Sequence, residues 1–213
     1  MIGFLRFLFF VLFVRPLVLL VLGMNVHHLE RLPRQGPAVI VANHNSHLDT
    51  LVLMSLFPLK SLDKIRPVAD AAYFLRTKFS SWFSLNIIKI IPIKRGDKAP
   101  HAEIFKDTNN ALKNGDIIII FPEGTRGEPE RLSKFKSGIA TLAEQNQDIS
   151  IIPVFMHGLG QALPKGDCVL VPFFCDVFIG EKLDWPGNRD TFMTQLDFRM
   201  KSLAAEGRFP AWE

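Results

Sequence analysis

The sequence predicts an α/β fold, a single domain with a central mixed β-sheet flanked by helices, plus an N-terminal hydrophobic membrane-associating helical segment. Three observations predict it. Short apolar runs at 38–42 and 116–121 are bounded by turn residues and have the length and β-branching of buried strands. Stretches of helical spacing, such as 101–114, alternate with them. Residues 1–24 are the most hydrophobic part of the chain, and 213 residues suffice for one domain with a sizeable core.

Hydrophobic residues make up 48% of the chain and mean hydropathy is +0.18, high for a soluble protein and low for a multi-span one. The 19 phenylalanines against one tyrosine fit a lipid-facing surface or an acyl-chain groove as well as an ordinary core. A net charge of +4 and a pI near 9.2 favour anionic surfaces. No Lys/Arg run is long enough to suggest nucleic acid, so an anionic membrane surface is the expected partner. Cys168 and Cys175 fit no zinc spacing and read as free buried thiols.

Two unbroken apolar runs, 7–14 and 17–24, are separated by Arg15-Pro16. One helix of this length could span a bilayer. Arg15 would then lie near its middle at a cost of roughly 2.5–3.5 kcal/mol, and Pro16 would kink it. Two short helices in the interface, with Arg6 and Arg15 reaching headgroups, avoid both costs. The expected division is a membrane anchor over 1–25, interfacial in preference to a single span, and a globular domain over 26–213. A buried core helix is a further reading. A cleaved signal peptide is disfavoured, because Leu22-Gly23-Met24-Asn25 lacks a small-x-small site.

Asn43-His44-Asn45-Ser46-His47-Leu48-Asp49 follows the first apolar strand and precedes an apolar helix candidate, 51–57, that Pro58 would stop. Open α/β sheets place their chemistry at such a strand end. Five helical positions are about 500° of rotation, so His44 and Asp49 meet only with His44 in the loop and Asp49 in the first turn. Ser46 would be the N-cap. Three readings stay open on these residues alone. His44 and Asp49 form a general-base pair, or Ser46-x-x-Asp49 is a capping box beside an incidental histidine, or His44, His47 and Asp49 bind metal.

Further along, His27-His28 opens a polar link that reads as solvated, and a short strand at 64–69 is confined to a sheet edge by Pro67. Residues 70–88, with Tyr73, Phe74, Phe79, Trp82 and Phe83, read as one or two helices. An apolar strand over 87–93 then ends in Lys94-Arg95, and a surface helix over 101–114 stops at Asn114-Gly115.

The strand at 116–121 runs into Pro122-Glu123-Gly124-Thr125-Arg126-Gly127. Its glycines permit close backbone approach, Thr125 offers a hydroxyl, and Arg126 offers a planar fork suited to phosphate. Glu123 would accept from a substrate hydroxyl or orient Arg126. Lys134 and Lys136 add to an anion site or face solvent. A plain turn with a surface ion pair is the competing reading. Strands are expected at 149–156, 169–174 and 177–179, with His157 structural. Phe192, Met193, Leu196, Met200 and Leu203 define a closing helix that Asp190 would cap.

Taken together, Asn43-His44-x4-Asp49, Ile91-Pro92-Ile93-Lys94-Arg95, Phe121-Pro122-Glu123-Gly124-Thr125-Arg126 and Ile152-Pro153-Val154 resemble the blocks of the glycerolipid acyltransferase family. That family includes 1-acylglycerol-3-phosphate acyltransferase. The blocks stand in its order between residues 26 and 157, and Phe135-Lys136-x-Gly138 is also typical. The first and third are the most specific. The second departs, with Ile91-Pro92-Ile93 where the family often carries a Gly and an aromatic, and nothing is carried over beyond residue 160.

The resemblance implies that an acyl thioester, acyl-CoA or acyl-carrier protein, is attacked directly by the free hydroxyl of a lysophospholipid. No acyl-enzyme, cofactor or metal is implied. Lysophosphatidic acid, giving phosphatidic acid, is the implied acceptor. Another lysophospholipid, or a non-catalytic membrane lipid-binding protein, is the alternative. His44 would be the general base and Asp49 its orienting partner. Arg95, Arg126, Thr125 and Lys136 would hold the acceptor phosphate, with Glu123 and Gly124 shaping that pocket. The expected location is the cytoplasmic face of the cell inner membrane.

Overall fold

The computed structural model describes residues 1–94, 104–127, 131–163 and 171–209. Its strands are β1 Gly23–His27, β2 Ala38–Ala42, β3 Ile65–Asp70, β4 Ile91–Ile93, β5 Ile117–Ile120, β6 Ile151–His157 and β7 Phe174–Ile179. They form one sheet in the order β1-β7-β6-β2-β5-β3-β4. Strands β2 to β6 run parallel, while β7 is antiparallel to β6 and parallel to β1, so the sheet is mixed.

The helices are α1 Ile2–Val21, α2 Leu48–Ser55, α3 Ala71–Phe74, α4 Lys78–Phe83, α5 Lys106–Lys113, α6 Gly138–Gln145, α7 Leu159–Ala162 and α8 Arg189–Glu206. Strand side chains alternate between faces, and the core divides accordingly. Ala38, Ile40 and Ala42 of β2 join one cluster with α1, α2 and the turn after α4. Val39 and Val41 join the other, closed by α5, α6 and α8. A strand buried on both faces needs apolar residues at every position, which Ala-Val-Ile-Val-Ala and the four isoleucines of β5 supply.

Residues 2–21 form one continuous helix where two short ones were expected. The chain passes Arg15-Pro16 by changing pitch. It is α-helical over Ile2–Phe9 and π-helical over Phe10–Val14 and Leu17–Val21. The Arg15 N–H reaches back five residues to the Phe10 carbonyl, so the lost proline donor falls within an already widened turn. An α-helix drifts about 40° every four residues. The wider turns offset that drift and keep Phe10, Val14, Val18 and Leu22 in the core on one face.

Arg6 is on the same face and points inward. It is 2% exposed and paired with Asp63 at 3.2 Å, where a headgroup contact was expected. The opposite face leaves Phe4, Phe7, Leu12, Phe13, Leu19 and Leu20 exposed. By length and composition α1 is the one helix among the described residues able to cross a membrane. It nevertheless packs along the domain from Arg6 to Leu22, and a boundary at 25 falls inside β1.

Other expectations shift for identifiable reasons. His27, expected in a polar link, instead closes strand β1, which pairs with β7, and His28 follows it in left-handed geometry at φ 60°. Strand β3 is internal, yet its β5 pairing ends at Pro67 and its β4 pairing begins at Val68, so the missing N–H falls between two ladders. The expected strand at 87–93 shrinks to Ile91–Ile93, because helical turns continue through Ile88 until Lys89 reverses the chain at φ 62°. Strand β7 is a single run. The cap of α8 is Asn188, whose side chain accepts the Thr191 N–H, and not Asp190. Cys175 is buried, with its thiol 3.5 Å from the Phe173 carbonyl, while Cys168 lies outside the described residues.

Candidate active site

The parallel strands β2, β3 and β5 end on one side of the sheet, where their following loops bound a cleft of about 470 Å³. Its walls carry His44 and His47 from the β2–α2 connection, Thr50 and Leu51 from α2, Pro67 to Asp70 from β3, and Tyr73 and Phe74 from α3. Phe83 ends α4, Ile88 and Ile90 follow it, and Phe121, Gly124, Thr125 and Arg126 follow β5. An apolar trough thus adjoins a small set of polar groups, the usual composition of a site for an amphipathic ligand.

The first loop is fixed by buried amides and one carboxylate. Asn43 donates from Nδ2 to the Met156 carbonyl at 2.8 Å, and its Oδ1 accepts the Met156 N–H at 2.7 Å. Its side chain thereby continues the β2–β6 ladder one step past Ala42. Asn45 adds a bond to the same carbonyl at 3.1 Å. Ser46 donates to the Leu163 carbonyl and accepts the Leu48 N–H, so its hydroxyl is occupied.

Asp49 stands in the first turn of α2 and is fully buried. Its Oδ2 accepts from His44 Nδ1 at 2.8 Å and from the backbone N–H groups of Asn45 and Ser46 at 2.7 and 2.9 Å. The bond back to Ser46 is half of a capping box, although His47 occupies the formal N-cap position of α2. The cap and the dyad are one arrangement. A single carboxylate oxygen shapes the loop and orients the imidazole. Nδ1 is held by Asp49, so Nε2 is the ring nitrogen left to the cleft.

The second loop clamps His44 by its backbone. Glu123 Oε1 accepts the His44 N–H at 3.2 Å, and the Gly127 N–H donates to the His44 carbonyl at 3.0 Å. The Phe121 ring lies against the imidazole, 4.3 Å between centroids and 19° from parallel. Gly124 turns the chain at φ 78°, and a Cβ there would come within 2.7 Å of Lys136 Nζ. Burial raises the Glu123 pKa from 4.5 to about 7, against the lowering pull of the His44 N–H and of Ser133.

Of the residues expected at the site, His44, Gly124, Thr125 and Arg126 reach the cleft wall together. Asp49 and Glu123 are buried behind it. Lys136 lies outside the cleft lining, with its ammonium over Gly124. Arg95 lies outside the described residues. Sequence reasoning missed Phe121 as the surface under the imidazole, and also missed Tyr73. The available signal was a single hydroxyl among many phenylalanines. His47, considered above as a metal ligand, bonds to Tyr73 instead, and among the described residues no group of three His, Cys, Asp or Glu converges as a metal set.

The family model described as Acyltransferase matches residues 23–157. A chloroplastic 1-acyl-sn-glycerol-3-phosphate acyltransferase of Arabidopsis thaliana is 32% identical over 143 residues, which is 67% of this chain and 38% of that protein. The chain thus spans under two fifths of that relative's length. The 1-acyl-sn-glycerol-3-phosphate acyltransferase of Pseudomonas aeruginosa is 30% identical over 184 residues, 85% of this chain and 67% of the relative. In fold, the chain superposes on the crystal structure of the acyltransferase PlsC from Thermotoga maritima with a TM-score of 0.77. That match has 19% identity and covers 99% of this chain and 81% of the other.

Proposed function

This chain belongs to the Acyltransferase family, and from that premise we propose that it moves an acyl group from a thioester to the free hydroxyl of a lysophospholipid. The observation that carries the reading is the His44–Asp49 bond of 2.8 Å, with the carboxylate fully buried and the imidazole on the cleft wall.

In this reading His44 Nε2 takes the proton of the acceptor hydroxyl as its oxygen bonds to the thioester carbonyl carbon. The tetrahedral oxyanion collapses, the carbon–sulfur bond breaks, and the departing thiolate takes the proton back from the imidazolium. Asp49 stabilises that imidazolium and holds its orientation. No protein nucleophile is needed. The described cleft lining contains neither Ser nor Cys, and the nearby Ser46 hydroxyl already donates to Leu163.

Arg126 and the Thr125 hydroxyl would bind the acceptor phosphate, and Arg95 and Lys136 are carried as further contacts. Glu123 and Gly124 would act through backbone geometry, setting the loop that faces His44. Leu51, Phe74, Phe83, Ile88 and Ile90 suit an acyl chain. The relatives are named for 1-acylglycerol 3-phosphate as acceptor, which supports lysophosphatidic acid here. Acyl-CoA or acyl-carrier protein is the donor, and no cofactor takes part.

Membrane association rests on α1. Its outer face is apolar, and its inner face is built into the domain from Arg6 to Leu22. That packing favours a helix lying in the interface at the cytoplasmic face of the inner membrane over one leaving the domain to cross the bilayer. Thiol release from acyl-CoA with a panel of lysolipids tests the reading. Release that needs lysophosphatidic acid supports it. Release with another lysolipid alone changes the acceptor, and no release with either donor class refutes acyl transfer.

A further inference from the structure

A second polar pair faces the cleft and takes no part in the steps above. Tyr73, the one tyrosine of the chain, places its hydroxyl 3.0 Å from His47 Nε2, with the two rings stacked at 5.6 Å. The residues come from different elements, His47 from the start of α2 and Tyr73 from α3. Both line the cleft beside Thr125 and Arg126.

The charged groups around His47 set its state. Burial, then the Arg126 charge, then His44 hold its pKa below 6.5, against the opposite pull of Asp49. Asp70, at the end of β3, also lines the cleft. In the neutral tautomer that carries its proton on Nδ1, the Tyr73 hydroxyl is the donor in the pair and its proton is committed to Nε2. Protonation reverses the bond. Nε2–H then donates to the Tyr73 oxygen, and the hydroxyl proton is released to any acceptor in the cleft.

We propose that His47 and Tyr73 form a proton-linked contact for the acceptor phosphate, in which an incoming phosphomonoester draws one proton from solvent onto His47 and is met by the freed Tyr73 hydroxyl. The inference rests on the cleft being the acceptor site. Burial is the larger cause of the low pKa, but an anion beside Arg126 offsets the Arg126 charge that adds to it, and it directly favours the imidazolium. A phosphodiester carries one charge and a blocking substituent, so it draws the proton less and binds less well. The pair therefore selects for a monoester headgroup.

The test is calorimetry of a short-chain lysophosphatidic acid binding to the H44A protein, which holds the acceptor without turning it over. Runs in buffers of different ionisation heat report protons exchanged on binding. The ligand's own phosphate titrates near neutrality, so the readout is the difference between H44A and H44A/H47Q. At pH 7.5 the proposal expects about one more proton taken up by H44A than by H44A/H47Q. It expects Kd to rise about tenfold in H44A/H47Q and in H44A/Y73F, the loss of one hydrogen bond to a charged group. Equal proton uptake and equal Kd in the two backgrounds overturn the proposal while leaving acyl transfer standing. Failure of lysophosphatidic acid to bind H44A at all overturns the acceptor reading and the proposal with it.

Discussion

The loop after β2 is fixed by its own side chains, whereas the loop after β5 is held by backbone bonds and the single Glu123 carboxyl. In the first, Asn43, Asn45, Ser46 and Asp49 are all at most 1% exposed, and each makes at least one hydrogen bond to a backbone group of the loop or of the segments beside it. In the second, Gly124 and Gly127 make the turn and the contact to His44, and Thr125 and Arg126 are left to the cleft. The difference matches what each loop is asked to do. A general base works only within hydrogen-bond reach of the proton it takes, so its surroundings are rigid. An anion contact made by long side chains tolerates more latitude. Damage to the first loop should therefore appear in kcat, and damage to the second in KM.

The sharpest way to break that contrast is Asp49→Asn. It keeps the volume but turns the buried carboxylate, whose Oδ2 accepts from the His44 ring and two backbone N–H groups, into a neutral amide. We expect kcat to fall by about 10³–10⁴-fold, comparable to loss of an orienting carboxylate elsewhere, with acceptor KM changed little. Steady-state kinetics on the purified protein checks it, and an equal effect on KM would erase the distinction between the loops. Arg126→Ala should do the reverse, raising acceptor KM about 10–100-fold while kcat stays within a few fold, as expected for lost phosphate binding.

A smaller effect sharpens the comparison at the point where the loops join. The Glu123 pKa lies near 7 in the folded protein against an ordinary 4.5, so between those values the folded state keeps a proton that the unfolded chain has lost. Its contribution to stability is complete below pH 4.5 and is lost as pH rises through 7. Glu123→Gln can still accept the His44 N–H but cannot ionise. Its melting temperature should gain on the wild type as pH rises from 4.5 to 7.5, measured by thermal melts across that range. Parallel curves would mean that Glu123 ionises freely in place.

Much of this was legible in the chain. Strands β2 and β5 are apolar at every position, as strands buried on both faces require. The His44–Asp49 spacing required a loop-to-helix geometry, and the structure has it. What was hidden depends on contacts between distant segments. Asn43 reads as a polar residue until Met156 is brought beside it, 113 positions away. Glu123 reads as a ligand-facing carboxylate until its partner proves to be the backbone of His44, 79 positions back. The pitch change in α1 was invisible because propensity speaks for α-helix or break and not for a π turn that absorbs a proline. The pairing of Tyr73 with His47 likewise exists only once α3 lies against α2.

The central claim is that His44 moves the proton, and single-turnover acyl transfer by His44→Ala tests it most directly. The measurement sets thiol release from acyl-CoA beside lysophosphatidic acid binding and the thermal melt of the same preparation. The account predicts that release falls to the uncatalysed background while Kd stays within about threefold and the melt is nearly unchanged, since Asp49 still holds the loop through Asn45 and Ser46. Transfer at more than a few per cent of the wild-type rate, with binding intact, would contradict it.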